Sequence, residues 1–583
     1  MKQRVVLLVG VFRKIADPAG AGTAGLGGYI DDLLEAPYSL AAAQLKAWCD
    51  ADPALRACWD LRLMNLVEDG GRALAGGSGE EAVLEEGHVD LLLRDEPAVV
   101  CFSAYAWNVD AVRWAIARLR ARRPGVVTVV GGRAAEDPVG LLAGEDAPDA
   151  VIPGEAELPF AALLAAGCSP AVPVPGVWRR EGGAVLRLPG PGAIVEDLSA
   201  LPSPFLAGLV SPSPRGMMLE LARGCPNDCG YCAWNACKTR RRRPGDAIEA
   251  DLRWAVEHGV RHVTIVDSAL GYEPDQVEEF VSTVRRADPD RALSFTYNLR
   301  HELVTDAEVE RLRELPAFQV LLGMETLGSA AMAESGRRPL EPAAFEAALA
   351  RIARIAPPVV GVVLGLPGDD LAGFIRTMEY LGRLAAHPGA PRLGAVLVSL
   401  LQVFPGTALH ARREALGLRL RPRGIPYLVE HPEFPRADLR KALRYLQWFR
   451  LRYPLLVKGP EGLGTLVEEP AAEGWALVAP LLRPWSSGAS VRGWTLEGAA
   501  SLFDGVGFGI LRFRDARGRE AAVRLDRRDE ARPCFARTGL FNVYSTGPVP
   551  DAVRPALEPL MDAVVRRIRR NEPGLLAAIR RET

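Results

Sequence analysis

Cysteine is scarce in this sequence, and long apolar runs are missing. The 583 residues include only nine cysteines, too few for a disulfide scaffold in a chain of this length, so the composition is typical of a reducing compartment. No stretch reaches the roughly 18 apolar residues that a membrane-spanning helix needs. Arg13 and Lys14 interrupt the apolar start of the chain, which we interpret as a buried strand. We therefore expect a cytoplasmic protein without a membrane partner.

An excess of either charge is also missing. The chain has 70 Lys and Arg residues against 72 Asp and Glu residues, a formal net charge of -2, so the charge balance gives no indication of a nucleic-acid partner. Hydrophobic residues make up 49% of the sequence and are spread along it, as in folded proteins. A chain of this length is expected to divide into roughly three or four folding units.

The first 165 residues alternate short apolar runs with amphipathic segments. Short runs rich in β-branched residues predict strands, and apolar residues at a 3.6-residue period predict helices. The predicted strands are Val5–Val9, Ala98–Phe102, Val126–Val130 and Ala150–Pro153, and the predicted helices are Ser39–Trp48, Val109–Ala121 and Glu155–Ala166. This order predicts a doubly wound, Rossmann-like α/β domain over 1–165, followed by a Pro/Gly-rich linker over 166–205.

A second series of strands and helices predicts a partial (β/α) barrel over 206–430. The predicted strands are Gly216–Leu221, Val263–Val266, Leu293–Asn298, Val320–Met324 and Val359–Leu364, and the predicted helices are Asp246–His258, Pro274–Ala287, Asp306–Leu315 and Pro342–Ile355. In such folds the chemistry lies beyond the carboxyl ends of the strands. We expect residues 431–583 to form a mostly helical α+β domain that covers the substrate, with a short β element at Gly509–Arg514 and Ala521–Arg524.

Three of the nine cysteines lie close together, directly after the first predicted barrel strand. Cys225, Cys229 and Cys232 have three and two residues between them. Three thiolates can hold a [4Fe–4S] cluster and leave its fourth iron open to a small molecule. A structural zinc site would need a fourth ligand, and Cys237 could supply it. The spacing alone leaves both metal centres possible.

The CxxxCxxC pattern, with an aromatic residue just before its last cysteine, resembles the radical S-adenosylmethionine (SAM) superfamily. The resemblance implies that Cys225, Cys229 and Cys232 bind a [4Fe–4S] cluster whose open iron holds SAM. It also implies that an electron from the cluster cleaves SAM to a 5′-deoxyadenosyl radical. In the same family Tyr231 would lie near the adenine.

Later segments resemble the same superfamily in the expected order. Val266-Asp267-Ser268 ends one strand, Met324-Glu325-Thr326 ends another, and the segment from Gly361 to Asp369 contains Gly-Leu-Pro-Gly. By this resemblance the SAM-binding residues are Tyr231, Asp267, Ser268, Glu325, Gly365 and Pro367. Phe404-Pro-Gly-Thr407 resembles a turn near the end of these barrels. Four arginines, Arg240 to Arg243, form either a solvated face or a support for the SAM site, and the sequence leaves this undecided.

The amino-terminal domain resembles the cobalamin-binding domain that precedes the barrel in one branch of the superfamily. The resemblance lies in three segments that follow predicted strands, Phe102–Asn108, Val130–Gly132 and Ile152–Glu157. The cobalamin-binding residues it implies are Ser103, Tyr105, Trp107, Gly131, Gly132, Gly154 and Glu155. Small residues at the carboxyl ends of the strands of a doubly wound sheet leave room for the nucleotide tail of a corrinoid.

The histidine that often coordinates cobalt from below is missing. Many corrinoid domains carry it in a DxHxxG motif, but the first histidine of this chain is His88, whose surroundings are more typical of a surface residue. The chain is therefore similar to the subgroup without this ligand, which includes tryptophan 2-C-methyltransferase and carbapenem-pathway methyltransferases. Loss of cobalamin binding would leave the same pattern.

These resemblances imply a cobalamin-dependent radical SAM methyltransferase acting on a carbon centre of a small biosynthetic intermediate. Its partners would be a small-molecule substrate and an electron donor such as flavodoxin or ferredoxin. The same cofactors could instead serve a cyclisation, a ring contraction or another radical rearrangement, and a non-catalytic corrinoid carrier is a third hypothesis. No motif identifies the substrate or a catalytic side chain. An ordinary Rossmann-type methyltransferase is disfavoured because no GxGxxG follows a strand.

Overall fold

Three large sheets with their helices make up most of the described part of the chain. The computed structural model describes residues 3–13, 38–68, 82–169, 172–181, 184–187, 192–213, 216–387, 389, 391, 393–452, 457–461, 490–491, 494–500, 507–518, 520–527, 535–537, 541–545, 558–566 and 569–570. Within these residues no helix is long and apolar enough to span a membrane.

The front sheet has seven strands in the order β2-β1-β3-β4-β5-β6-β7. Its strands are β1 (Arg4–Arg13), β2 (Trp59–Glu68), β3 (Val99–Ser103), β4 (Val127–Gly131), β5 (Ala150–Val151), β6 (Trp178–Glu181) and β7 (Ala184–Arg187). Its helices are α1 (Leu40–Ala51), α2 (Pro53–Cys58), α3 (Glu86–Leu93), α4 (Val109–Arg122), α5 (Pro138–Leu141) and α6 (Glu157–Ala165). Strands β1 to β5 are parallel, and β6 and β7 add an antiparallel hairpin. The predicted doubly wound sheet is confirmed.

Two features of the front sheet differ from the expectation. Strand β2 was not predicted, because it is an edge strand in which polar residues alternate with apolar ones and no continuous apolar run forms. The hairpin of β6 and β7 extends the sheet to residue 187, into the segment expected to be a linker. Apolar clusters cover both faces of the sheet, as a parallel sheet requires.

The central sheet has seven parallel strands in the order β18-β15-β14-β13-β12-β11-β8. Its strands are β8 (Met217–Leu219), β11 (His262–Ile265), β12 (Ser294–Leu299), β13 (Ala317–Glu325), β14 (Val359–Leu364), β15 (Ala395–Leu400) and β18 (Val457–Glu461). The helices along this region are α7 (Gly245–Glu257), α8 (Gln276–Ala287), α9 (Asp306–Leu312), α10 (Ser329–Glu334), α11 (Pro342–Ile352), α12 (Leu371–Ala386), α13 (Ala408–Ala411) and α14 (Arg436–Arg452). Because β18 pairs with β15, the sheet continues beyond residue 430.

Two short antiparallel pairs accompany the central sheet. One joins β9 (Ala222–Arg223) to β10 (Arg241–Arg242) and closes the base of the cysteine loop. The other joins β16 (Arg419–Leu420) to β17 (Leu428–Glu430). We define the cysteine loop as residues 224–240, between β9 and β10. This pair fixes where the chain enters and leaves the loop.

The described part of the carboxy-terminal region contains more strand than the mostly helical α+β domain that was expected. A six-stranded antiparallel sheet lies there, in the order β19-β20-β21-β22-β24-β23. Its strands are β19 (Ser490–Val491), β20 (Trp494–Ala500), β21 (Gly507–Asp515), β22 (Glu520–Arg527), β23 (Ala536–Arg537) and β24 (Phe541–Ser545). Residues alternate between apolar and polar along β21 and β22, the two-residue period of a half-buried strand. This sheet extends well beyond the short β element that was expected.

The carboxyl edge of the front sheet abuts the central domain. Trp107, just after β3, packs against the core of the central sheet. The backbone N–H of Gly424 donates to the Asp110 carboxylate over 2.9 Å. A Cβ on Gly406, in the predicted Phe404–Thr407 turn, would lie 2.7 Å from the Glu136 side chain. The ends of the two sheets where cofactors are expected therefore meet at one interface.

Candidate functional site

The cysteine loop is held by backbone hydrogen bonds at its base and in its middle. The Cys225 N–H donates to the Cys237 carbonyl over 2.9 Å, next to the β9–β10 pair. In the middle, the Gly230 N–H donates to the Ser335 carbonyl, and the Gly230 carbonyl accepts from Leu409, both over 2.8 Å. Gly224 has a φ of 89° and its Cβ would lie 2.2 Å from the Thr239 carbonyl, so only glycine fits there.

The three predicted metal ligands, none of which is in a disulfide bond, lie in different environments. The Cys225 thiol accepts a hydrogen bond from the Asn227 amide at 3.3 Å and lies 3.6 Å from the Tyr272 hydroxyl. Burial raises the pKa of Cys225, but these hydrogen bonds outweigh it, so the pKa lies below its usual value. Burial raises the pKa of Cys232 to about 11. The loop therefore stabilises the Cys225 thiolate more directly than the Cys232 thiolate.

The donor set suits a cluster with one open iron. Each thiolate of a [4Fe–4S] cluster binds a different iron, so the sulfurs need not converge on one point as the ligands of a single ion do. Among the described residues, no three His, Cys, Asp or Glu side chains converge on one ion position. The Cys237 thiol donates to the Thr239 carbonyl at 3.4 Å. The cluster hypothesis thus needs only Cys225, Cys229 and Cys232.

Asp267 lies directly beneath the start of the cysteine loop. Its Oδ1 accepts the backbone N–H of Leu221 over 2.9 Å, and its Oδ2 lies 3.6 Å from the Arg240 guanidinium. The side chain is 1% exposed, and burial raises its pKa to about 7. Ser268 donates to the Gly224 carbonyl at 3.4 Å. These contacts support the loop, and direct contact of either residue with SAM stays a prediction.

Glu325 ends β13 in a left-handed backbone conformation, with a φ of 65°. This conformation costs a non-glycine residue about 1 kcal/mol or more, and such residues cluster at functional sites. The Glu325 carboxylate accepts from Arg337 over 2.6 Å, and the same guanidinium donates to the Tyr231 hydroxyl over 3.3 Å. A Cβ on Gly323 would lie 2.2 Å from the Glu325 carboxylate. The site thus brings Tyr231 and Glu325 together through an arginine.

Sequence reasoning missed Arg337, although it is 7% exposed and joins two predicted SAM-binding residues. Burial lowers its pKa, but the nearby Glu325 outweighs this effect and raises it, so Arg337 remains charged. The only signal was its place in Ser335-Gly-Arg337, just beyond the strand that ends in Glu325. This position becomes informative only when the two segments are known to fold against each other.

Gly365 and Pro367 lie at the end of β14, and the glycines of this turn pack against protein. Gly365 has a φ of 89°, and a Cβ there would lie 2.6 Å from the Leu428 side chain. A Cβ on Gly368 would lie 3.0 Å from the backbone of Ala331. Pro367 is buried. The close approach seen here is to the chain itself, and contact of Gly365 and Pro367 with SAM stays a prediction.

The four arginines, Arg240 to Arg243, neither form a simple solvated surface nor all support the SAM site. Arg240 lies 4.8 Å above the Tyr272 ring and donates to the Ala269 carbonyl over 3.2 Å, beside the cysteine loop. Arg242 pairs with Asp275 at 3.0 Å, and Arg243 pairs with Asp251 at 2.8 Å. Arg241 forms an ion pair with Glu155 of the amino-terminal domain. Each arginine ties β10 to a different element.

In the front domain, Asn108 organises the predicted corrinoid segment. Its amide donates to the carbonyls of Val11 and Ser103, which join the ends of β1 and β3, and accepts from the Tyr105 N–H at 2.7 Å. The Tyr105 and Trp107 rings stack with centroids 4.5 Å apart. In a sheet with the strand order 2-1-3-4-5, the ends of β1 and β3 form the switch point where ligands bind.

Other predicted corrinoid residues leave unfilled bonding capacity and space. The Ser103 hydroxyl is buried and has no hydrogen-bond partner. A Cβ on Gly154 would meet no atom within 4 Å, and one on Gly131 would come no closer than 3.8 Å to the Ile152 carbonyl. There is no such space at Gly132, because a Cβ added there would lie 2.6 Å from the Ala104 carbonyl. An orphaned hydroxyl beside open glycines fits a ligand at this edge.

Glu155 and His88 have protein partners. The Glu155 carboxylate forms ion pairs with Arg223, at 3.0 Å, and with Arg241. His88 accepts the backbone N–H of Glu85 over 3.0 Å in the first turn of α3. The ring nitrogen that accepts this bond is therefore engaged as a helix cap. The loop after β1, which includes Gly20 to Gly28, lies outside the described residues.

Parts of the chain are similar in sequence to known proteins. Residues 219–381 match the family model of the radical SAM superfamily. A 2-(S-pantetheinyl)-carbapenam-3-carboxylate methyltransferase of Streptantibioticus cattleyicolor is 28% identical over 41% of this chain and 35% of its own length. The cobalamin-dependent radical SAM methyltransferase TokK of Streptomyces tokunonensis is 30% identical over 31% of this chain and 29% of its own length. The chain thus spans about a third of the length of these relatives.

Solved structures share the fold at low sequence identity. The radical S-adenosylmethionine methyltransferase TsrM from Kitasatospora setae matches with a TM-score of 0.58 and 14% identity, over 79% of this chain and 92% of that chain. The cobalamin-dependent S-adenosylmethionine radical enzyme OxsB matches with a TM-score of 0.54 and 13% identity, over 84% of this chain and 73% of that chain. Residues 219–381 thus match the radical SAM family model, and the chain shares the multi-domain fold of TsrM and OxsB.

Proposed function

We propose that this protein is a cobalamin-dependent radical SAM methyltransferase acting on a carbon centre of a small biosynthetic intermediate. The observation that carries the proposal is the meeting of two strand edges. One lies beside the three cysteines of the cysteine loop, and the other carries an orphaned serine hydroxyl and open glycines. Both sequence relatives are methyltransferases, which supports the proposal. We further propose a cytoplasmic protein that takes electrons from a donor such as flavodoxin or ferredoxin.

The chain offers separate residues for each cofactor. When bound, the cluster and SAM supply a 5′-deoxyadenosyl radical, and cobalamin supplies the methyl group. Cys225, Cys229 and Cys232 would hold the cluster. Glu325 and Arg337 place an anion and a cation side by side at the carboxyl end of the central sheet. This arrangement suits the ammonium and carboxylate of SAM. Their rigid pairing would orient the bound methionine group.

The front domain would hold the corrinoid without a histidine below the cobalt. His88, the single histidine among residues 1–165, has one ring nitrogen committed to the cap of α3. The Ser103 hydroxyl and the space over Gly131 and Gly154 suit a nucleotide tail that enters at the β1/β3 switch point. The stacked pair of Tyr105 and Trp107 would separate this ligand from the central core.

The test is anaerobic reconstitution with iron, sulfide and hydroxocobalamin, followed by assay of the products formed from SAM and a reductant. We expect bound corrinoid in the visible spectrum, and both 5′-deoxyadenosine and S-adenosylhomocysteine. 5′-Deoxyadenosine with bound corrinoid but without S-adenosylhomocysteine would favour a radical rearrangement instead. Bound corrinoid without either product would favour a carrier. The matched control is the Cys225→Ala protein, which should yield neither product.

A further inference from the structure

A single carboxylate of the front domain contacts both strands that flank the cysteine loop. Glu155 lies just after β5 and pairs with Arg223 of β9 and Arg241 of β10. Arg223 also pairs with Glu157, at 2.8 Å, and with Glu220, at 2.9 Å. The β9 strand leads into the loop and β10 leads out of it. The front domain therefore holds the loop at both of its ends.

The two arginines need this carboxylate because they are cross-strand neighbours. Arg223 and Arg241 are directly opposite in the antiparallel β9–β10 ladder, which has only two residue pairs. Like charges directly opposite across such a pair are destabilising, and so short a ladder has little stability of its own. Glu155 lies within ion-pairing distance of both guanidinium groups and offsets their repulsion. The closure of the loop depends on a residue from another domain.

Burial makes these ion pairs stronger than surface pairs. The side chains of Arg223, Arg241 and Glu155 are 13%, 6% and 18% exposed, so water screens the charges poorly. Arg241 also donates to the carbonyl of Val195, in the segment between the two domains. Without Glu155, Arg223 would keep Glu157 and Glu220, but Arg241 would lose the carboxylate with which it pairs. An uncompensated buried charge of this kind is strongly destabilising locally.

We propose that Glu155 is a positioning residue for the cysteine loop, and thereby for the cluster, and that it does not bind the corrinoid directly. This inference rests on the proposed function, since it concerns the cluster that the loop would hold. It replaces the role that resemblance to the cobalamin-binding domain implied for Glu155. Changes at the carboxyl edge of the front sheet would reach the cluster through this carboxylate.

The test uses Glu155→Gln in the full chain, which keeps the size of the side chain and removes its charge. The matched control is Glu279→Gln, because Glu279 pairs with Arg242, the next residue of β10, within the central domain. In the apoprotein, hydrogen exchange of loop amides 224–240 should be about tenfold faster in Glu155→Gln and little changed in Glu279→Gln. Hydroxocobalamin should bind Glu155→Gln within about twofold of the unaltered protein, because we assign no corrinoid contact to Glu155.

A second variant covers the case in which Glu155→Gln folds poorly. Adding Arg241→Gln removes one of the two facing cations, so the double variant should exchange its loop amides more slowly than Glu155→Gln alone. After reconstitution, the electron paramagnetic resonance (EPR) spectrum of the reduced cluster should change in Glu155→Gln and not in Glu279→Gln.

Two results would overturn the inference. One is a rate of hydrogen exchange at loop amides 224–240 that is the same in Glu155→Gln as in Glu279→Gln. The other is corrinoid affinity lowered more than about tenfold with loop exchange unchanged, which would return Glu155 to the corrinoid. If the unaltered protein takes up no cluster, the proposed function fails, whereas the exchange experiment on the apoprotein still decides whether Glu155 holds the loop.

Discussion

The front sheet and the central sheet hold their carboxyl ends in different ways. At the ends of β1 and β3 in the front sheet, the contacts are made by neutral groups, such as the Asn108 amide and the stacked rings of Tyr105 and Trp107. At the central sheet, charged groups make them, as in the Glu325–Arg337 pair and in Asp267 beside Arg240. The difference matches the proposed ligands, because the methionine part of SAM is zwitterionic whereas a corrinoid is a large ligand bound mainly by shape.

The largest expected effect is the loss of the cluster at the central sheet when one of its three cysteines is substituted. Cys225→Ala, Cys229→Ala or Cys232→Ala removes one of three protein ligands, so each variant should lose nearly all reconstituted iron and its charge-transfer absorbance. Iron analysis and the visible spectrum measure this. The control Cys237→Ala should keep the cluster, and if it also loses the cluster, the four-cysteine zinc-type arrangement regains support.

The carboxyl end of the central sheet, where the contacts are charged, should be sensitive to the loss of one partner of an ion pair. Arg337→Gln leaves the buried Glu325 carboxylate unpaired, which should lower the free energy of unfolding by about 3 kcal/mol and weaken SAM binding. Denaturant unfolding and isothermal titration with SAM measure the two effects. The exposed neighbour Arg338 provides the control, because Arg338→Gln should change neither quantity. Equal effects of both variants would remove Arg337 from the site.

The carboxyl end of the front sheet should respond to added side-chain volume, which we test at two glycines. Gly132→Ala forces a Cβ against the Ala104 carbonyl at a φ of 85°, so it should cost about 2 kcal/mol or more of folding free energy. Gly154→Ala meets no atom and should cost only about 1 kcal/mol, the penalty for its left-handed backbone. Thermal unfolding measures both, and equal costs would contradict the open space described over Gly154.

The smallest expected effect concerns the Tyr272 hydroxyl. Tyr272→Phe removes a group 3.6 Å from the Cys225 sulfur, so the reduction potential of the cluster should become slightly more negative, since hydrogen bonds to cluster sulfurs raise it. A redox titration monitored by EPR measures the shift. Tyr380→Phe, which alters a hydroxyl bonded to Glu346, is the control. A shift of the same size in both variants would assign no role to Tyr272.

The sequence was sufficient for features that are local in the chain. Strands β1, β3 and β4 and most central strands follow from apolar runs, and the cysteine spacing follows from eight consecutive residues. The six-stranded sheet was underestimated because its strands are amphipathic and contain no long continuous apolar run. Arg337 and the pairing of Glu155 with Arg241 were missed because their partners are distant in sequence, 86 residues apart for the latter pair. No local pattern encodes such contacts.

The most direct test of the account is whether the two strand edges hold their cofactors close together. The measurement is EPR spectroscopy of anaerobically reconstituted protein that contains both cob(II)alamin and the reduced cluster. Because the edges meet at one interface, the account predicts a spin–spin interaction that alters both signals and disappears in Cys225→Ala. A simple sum of two unperturbed signals, or protein that takes up the cluster but no corrinoid, would contradict it.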